Sequence, residues 1–260
     1  MMSSDARLET IDRSSLLRDL RALGIAPGMV LGVHSSLRRV GWVDGGADTV
    51  IAALIDAVGP EGTLVMPHYR VSMVVPVSDA DRAAGVDYIV RRIPWTDLRA
   101  RTGMGRIADT FAQRSDVARG PQRVHTQVAW GPRAGRFCQG YEPLLRAGGS
   151  ILLLGVQFDR CSVLHAAVPP ASLPADLPFV PAPPVPPDVA RRFPPEEWIV
   201  GMAGVGFSFM ALQRAAEGRG LLRHGNVGAA DTILLQAAPV VALFESLMRD
   251  DPRSLLDSAG

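Results

Sequence analysis

Residues 29–67 read MVLGVHSSLRRVGWVDGGADTVIAALIDAVGPEGTLVMP, and this stretch sets the fold class. Met29 to Val33 is a short apolar run of the kind that forms a buried strand. It leads into His34-Ser35-Ser36-Leu37 and a loop bearing Gly41, Gly45 and Gly46. From Ala47 to Val58 apolar residues recur at helical spacing, with Val50, Ile51, Leu54 and Val58 on one face. Gly59-Pro60-Glu61-Gly62 has the composition of a turn, and Thr63 to Pro67 reads as a second buried strand. Strand, loop, helix and strand in that order predict an α/β fold: a mostly parallel central sheet flanked by helices.

The flanking segments extend the pattern. Leu16, Leu17, Leu20 and Leu23 predict a helix over 13–24, which Ser14 or Ser15 can cap and Gly24 can end. Residues 71–101 are mixed and read as irregular. Gly103 to Arg114 reads as a helix opened by glycines, Val128 to Gly131 as a short strand, and Gly149 to Phe158 as a third buried strand. His165 lies a few residues beyond it. Residues 169–195 hold 11 of the 21 prolines, so neither a helix nor a central strand can run through them. They are expected to form an extended loop or lid, or to be disordered, within one domain spanning 1–260. Beyond them, Val205 to Ala216 and Val240 to Met248 read as helices, Gly225-Asn226 as a turn and Asp231 to Gln236 as a strand.

Composition narrows the function classes. The chain has 260 residues, 47% of them hydrophobic and 20% charged, with a net charge of +1. A chain of this length buries enough surface to fold without disulfides. A charge near zero argues against nucleic acid as the main partner. No apolar run approaches the ~18 residues of a membrane span, and the polar N-terminal stretch has no apolar signal core, so a cytoplasmic location is expected. Cys138 and Cys161 are too few for a disulfide framework and lack metal-ligand spacing. All 27 basic residues are Arg. A Schiff-base lysine, a P-loop lysine and a Ser–Lys dyad are therefore impossible, whereas phosphate binding by Arg stays open.

Five histidines are present: His34, His68, His125, His165 and His224. None has the spacing of a helical metal site, so no metal is expected. There is no G-x-S-x-G elbow, and no G-x-G-x-x-G follows the first strand. An isolated histidine is ordinarily a satisfied structural one. Position singles out His34, His68 and His165, each at or just past the end of an apolar strand, where parallel α/β sheets bind ligands. Small residues after the first strand let backbone N–H groups approach an anion. Gly103-Met104-Gly105-Arg106 has the same character, although a plain helix entry looks alike.

Together these blocks resemble the aminoglycoside 3-N-acetyltransferase family. The resemblance is carried by His34-Ser35-Ser36-Leu37, Gly41-Trp42-Val43, Gly45-Gly46, Ala53-Leu54 and Gly59 through Pro67. Four later blocks are similar too: Gly105 to Phe111, His125 to Ala134, Gly149 to His165, and Gly225 to Ala230. The resemblance implies an α/β acyltransferase that uses a coenzyme A thioester, usually acetyl-CoA, and a small-molecule amine acceptor. It places Ser35, Ser36 and Leu37 at the coenzyme A site and His165 as the catalytic base; His34, Gly103, Met104 and Gly105 are expected at the same coenzyme A site from their positions. His68 and His125 are expected on the acceptor side. An acyl carrier protein as donor and a homodimer stay open.

Two positions depart from the family pattern. Val168 stands where the family carries a glutamate three residues after the histidine, and Gly206 stands where an acid precedes Phe207. Carboxylates there would orient the imidazole and attract a polycationic acceptor. Without them, a biosynthetic amine acceptor, a non-catalytic thioester-binding role and a thioester hydrolase are the competing expectations. Asp159, Glu196, Glu197 and Glu217 are the acids that can stand in. Cys161 reads as a buried structural thiol rather than an acyl acceptor.

Overall fold

The computed structural model describes residues 10–69, 73–86, 88–91, 102–121, 126–168, 170, 191, 198–201 and 207–256. Its strands, in chain order, are β1 (Val30–Ser35), β2 (Thr63–Pro67), β3 (Met73–Val75), β4 (Tyr88–Arg91), β5 (Val117–Arg119), β6 (Gln127–Trp130), β7 (Ser150–Leu154), β8 (Trp198–Gly201), β9 (Leu222–Val227) and β10 (Ala230–Gln236). Seven of them form one sheet in the order β5-β6-β2-β1-β7-β10-β9, and β3, β4 and β8 form a second.

In the large sheet β1 is parallel to both β2 and β7. Every other pairing is antiparallel: β6 on β2, β5 on β6, β10 on β7 and β9 on β10. The α/β class therefore stands, while the expectation of a mostly parallel sheet is corrected. Only the three central strands are parallel; short connections make β5–β6 and β9–β10 antiparallel neighbours, and β6 and β10 meet β2 and β7 antiparallel from far along the chain.

Alternation along the central strands sorts their side chains into two layers. Leu31, Val33, Leu64, Met66, Leu152 and Leu154 face one apolar layer. The helices Arg13–Ala22, Gly46–Val58 and Arg106–Ala112 supply its other side through Leu16, Leu20, Ile51, Leu54, Ile107 and Phe111. Val30, Val65, Ile151 and Leu153 face the opposite layer, with Phe137, Leu144, Leu212 and Phe244 from the helices Ala134–Phe137, Glu142–Arg146, Phe209–Glu217 and Ala237–Asp250. The sheet is thus sandwiched between helical layers. A continuous apolar reading of β1, β2 and β7 is what burial on both faces requires.

Local detail differs from the sequence reading in three places. The first helix is capped by Asp12, whose carboxylate accepts from the backbone N–H of Ser15, rather than by Ser14 or Ser15. Ser15 instead completes a reciprocal capping box. Gly225 and Asn226 lie within β9, opposite Thr232 and Asp231, and the chain reverses at Gly228-Ala229. Residues 71–101, read as irregular, include β3, β4 and a helix at Asp79–Ala83. β4 pairs with β3 and with β8, the latter more than a hundred residues later in the chain. Nearly all of the proline-rich stretch 169–195 lies outside the described residues.

Leu152 is wholly buried in the central strand β7. Leu152→Ala is expected to lower stability by about 2–5 kcal/mol, read as a lower urea midpoint with an unchanged slope.

Candidate active site

β1, β2 and β7 run the same way, so their carboxyl ends reach one edge of the sheet. A cleft of about 710 Å³ opens there. Its floor comes from the strand ends: His34, Ser35 and Ser36 after β1, Pro67 and Tyr69 after β2, and Val156 after β7. One wall, Gly103 to Arg106, leads into the helix Arg106–Ala112 of the first layer. The other wall is Asp159 to Ser162 with His165, on two 3₁₀ turns over the second layer, and Phe209.

The alternation of β1 accounts for how the two walls share its end. His34 falls in step with Val30, on the side of the turn that carries His165. Burial pushes the His34 imidazole down to about 4, and the nearby His165 adds to the shift. Ser35 falls in step with Leu31 and Val33, on the side of the Gly103–Gly105 wall. Ser36 precedes a short helix, Leu37–Val40, and its hydroxyl makes no capping bond. Its backbone N–H is already used by Leu154 O at 2.9 Å.

His165 lies on the turn Ser162–Ala166 and is exposed to the cleft. Phe209 meets its ring edge-on, with centroids 5.4 Å apart. Tyr69 and Ser162 share a 2.9 Å hydrogen bond that ties the end of β2 to this turn. Burial raises the Tyr69 phenol, so it stays protonated. Cys161 is buried, and burial pushes its thiol up to about 12. A thiol so rarely ionised is a poor nucleophile.

Eight residues named from the sequence therefore share one cleft: His34, Ser35, Ser36, Leu37, Gly103, Met104, Gly105 and His165. His68 does not. It is wholly buried, with Nε2 3.5 Å from Asp109 Oδ1, and burial beside the Arg119 guanidinium pushes it down to about 4. Its expected place among acceptor contacts is corrected. The period-two alternation of β2 carries His68 into the first helical layer and delivers Tyr69 to the cleft instead. His125 lies outside the described residues, as do Glu196, Glu197 and Gly206. Of the named acids, Asp159 lines the cleft, paired with Arg160 at 3.0 Å. Glu217 lines a neighbouring groove near His224.

Arg106, read from the sequence beside Gly103–Gly105, and Arg38, which the sequence reading missed, line the cleft and form no ion pair with any described residue. The adjacency of Arg38 to Leu37 was the available signal. The sequence reading also missed Glu245 on the last helix, whose Oε1 accepts the backbone N–H of Val168 at 2.9 Å. A carboxylate thus reaches the segment after His165 from far along the chain, which no local motif records.

The chain is similar to known proteins along most of its length. The family model described as aminoglycoside 3-N-acetyltransferase matches residues 33–249. An aminoglycoside N(3)-acetyltransferase VIII of Streptomyces fradiae is 32% identical, over 89% of this chain and 89% of that protein. A SPbeta prophage-derived aminoglycoside N(3')-acetyltransferase-like protein of Bacillus subtilis (strain 168) is 33% identical over 60% of this chain; the match spans 64% of that relative, a little under two thirds. A structure of AAC-IIIb in binary complex with CoASH superposes with a TM-score of 0.67 at 24% identity, covering 96% of this chain and all of that one, and shares its fold. No helix among the described residues is long and apolar enough to cross a membrane.

The buried imidazoles also set a pH dependence. His34 and His68 stay neutral in the fold down to about pH 4, whereas unfolded they take up protons from about 6.5. The unfolded chain therefore binds more protons in that window. Stability is expected to hold above pH 6.5 and to fall as the pH drops toward 4. Denaturant melts across that range should show a shallower fall for a His34→Gln, His68→Gln variant; equal slopes would remove the histidines from the account.

Proposed function

The chain belongs to the aminoglycoside 3-N-acetyltransferase family, and on that premise we propose that it moves an acetyl group from coenzyme A to an amine of an aminoglycoside or a related small molecule. One observation carries the reading. Three segments far apart in sequence, His34–Leu37, Gly103–Gly105 and His165, converge on one cleft at the carboxyl edge of the parallel strands.

The donor lies along Ser35, Ser36, Leu37 and the Gly103–Gly105 wall. Arg38 and Arg106 supply unpaired positive charge for its phosphates. Glycines in that wall let a thin pantetheine arm pass close to backbone.

His165 acts as general base. An amine with a pKa well above 7 is mostly protonated and cannot attack a thioester. An imidazole takes a proton from the amine as the nitrogen–carbon bond forms. The thioester carbonyl becomes an oxyanion, and the hydroxyl of Ser35 or Ser36 donates to it. Collapse breaks the carbon–sulfur bond, and the imidazolium returns its proton to the departing thiolate. The products are an amide and free coenzyme A, with no covalent enzyme intermediate. Phe209 against the ring, and the Tyr69–Ser162 bond beneath the turn, keep His165 facing the cleft.

Among the described residues, the acceptor side is less acidic than a polycationic sugar would favour. Asp159 is offset by Arg160, and Glu245 is the carboxylate nearest in sequence contact with the turn's exit. A smaller amine, or a carrier-protein thioester as donor, fits the same chemistry.

Turnover with acetyl-CoA and a panel of aminoglycosides and simpler amines tests the reading. His165→Ala is expected to lower turnover by roughly 10²–10⁴ while leaving acetyl-CoA binding in place. Near-normal turnover by the variant sinks the base assignment. Donor binding by the wild type without transfer to any amine replaces the enzyme with a thioester-binding protein. Release of free thiol without an acceptor makes it a hydrolase.

A further inference from the structure

The donor wall is built from Gly103, Met104 and Gly105, three residues with no polar side chain to hold them in place. Two glycines in a row of three make such a segment entropically costly to order. Gly105 is also in the left-handed region, with φ of 95°, and sits so close to β1 that an added Cβ would lie 3.3 Å from the Ser35 carbonyl oxygen. Something outside the wall must fix it.

Asp109 and Thr102 do so. Asp109 lies one turn into the helix Arg106–Ala112, and side chains on a helix lean toward its N-terminus. Its carboxylate, 6% exposed, reaches back to accept both the backbone N–H of Thr102 at 3.1 Å and the Thr102 hydroxyl at 2.5 Å. With its proton given to Asp109, the Thr102 oxygen accepts the backbone N–H of Met104 at 3.1 Å. Every donor meets an acceptor, so the chain of bonds has one direction, from the wall's backbone to a buried charge. Hydrogen bonds to a charged acceptor are the stronger kind. His68 backs the carboxylate from beneath, 3.5 Å away, and Arg119 Nη1 lies 3.5 Å from the other ring nitrogen.

We propose that Thr102 and Asp109 are positioning residues: a latch between a half-buried hydroxyl and a buried carboxylate that holds the Met104 backbone, and with it the cleft wall against which the coenzyme A thioester lies. Neither residue lines the cleft, so they act through Gly103 to Gly105. The donor side of this proposal rests on the acyltransferase reading above; the latch itself does not.

Thr102→Val keeps the shape and removes the hydroxyl, and Thr102→Ser restores it. Two readouts separate the two levels. In amide hydrogen exchange, Met104 is expected to exchange about tenfold faster or more in Thr102→Val, with recovery in Thr102→Ser. In kinetics with acetyl-CoA, Thr102→Val is expected to raise KM about tenfold with a smaller change in kcat, and Thr102→Ser to stay within about twofold of wild type. Unchanged Met104 exchange in Thr102→Val overturns the latch whatever the protein's activity. Faster exchange with an unchanged KM overturns its service to the donor. Equal losses of kcat and thermal stability in both variants reduce Thr102 to a structural part. A wild type that binds no thioester removes the acyltransferase reading instead, and the exchange result still decides the latch.

Discussion

Everything at the cleft follows from three strands running the same way. β1, β2 and β7 are buried on both faces and end at one edge of the sheet. Alternation then hands successive residues at each strand end to opposite helical layers. His34 goes toward the His165 turn, Ser35 toward the Gly103–Gly105 wall; His68 goes into the first layer, Tyr69 into the cleft. A ligand at that edge is therefore gripped between elements of both layers. The antiparallel strands outside this trio widen the sheet and contribute little to the cleft.

Desolvation divides the histidines by role. His34 and His68 are taken out of water by the same apolar layers that stabilise the sheet, and both are held neutral as a result. His165 sits on a short turn rather than in a strand, so it stays open to the cleft. A proton acceptor must meet its substrate, and exposure separates it from the two buried rings. The buried thiol of Cys161, a few residues away, is silenced by the same apolar surroundings.

Charge is distributed with equal economy. Every cation in the chain is an arginine. Most of the ion pairs described are local and exposed, such as Arg146 with Glu142 and Arg114 with Asp116, and pairs of that kind add little stability. Arg38 and Arg106 line the cleft and form no ion pair with any described residue. Asp109 is the reverse case, a buried carboxylate spent on holding backbone.

Local sequence was enough to determine the α/β class, the helices at 13–22 and 46–58, the three buried strands and the cluster His34–Leu37. These depend on apolar periodicity, and periodicity is a property of neighbouring residues. Position past a strand end singled out His165 and composition the Gly103–Gly105 segment; the family resemblance added the role of His165 as base. Only the tertiary structure decided strand direction, the pairing of β4 with β8, the turn at Gly228-Ala229, the burial of His68, the arrival of Glu245 at Val168, and the Asp109–Thr102 latch. Each of those joins segments whose contact is set by packing across a sheet or between layers, and a chain read in order carries no record of which distant residue will fill the space beside it.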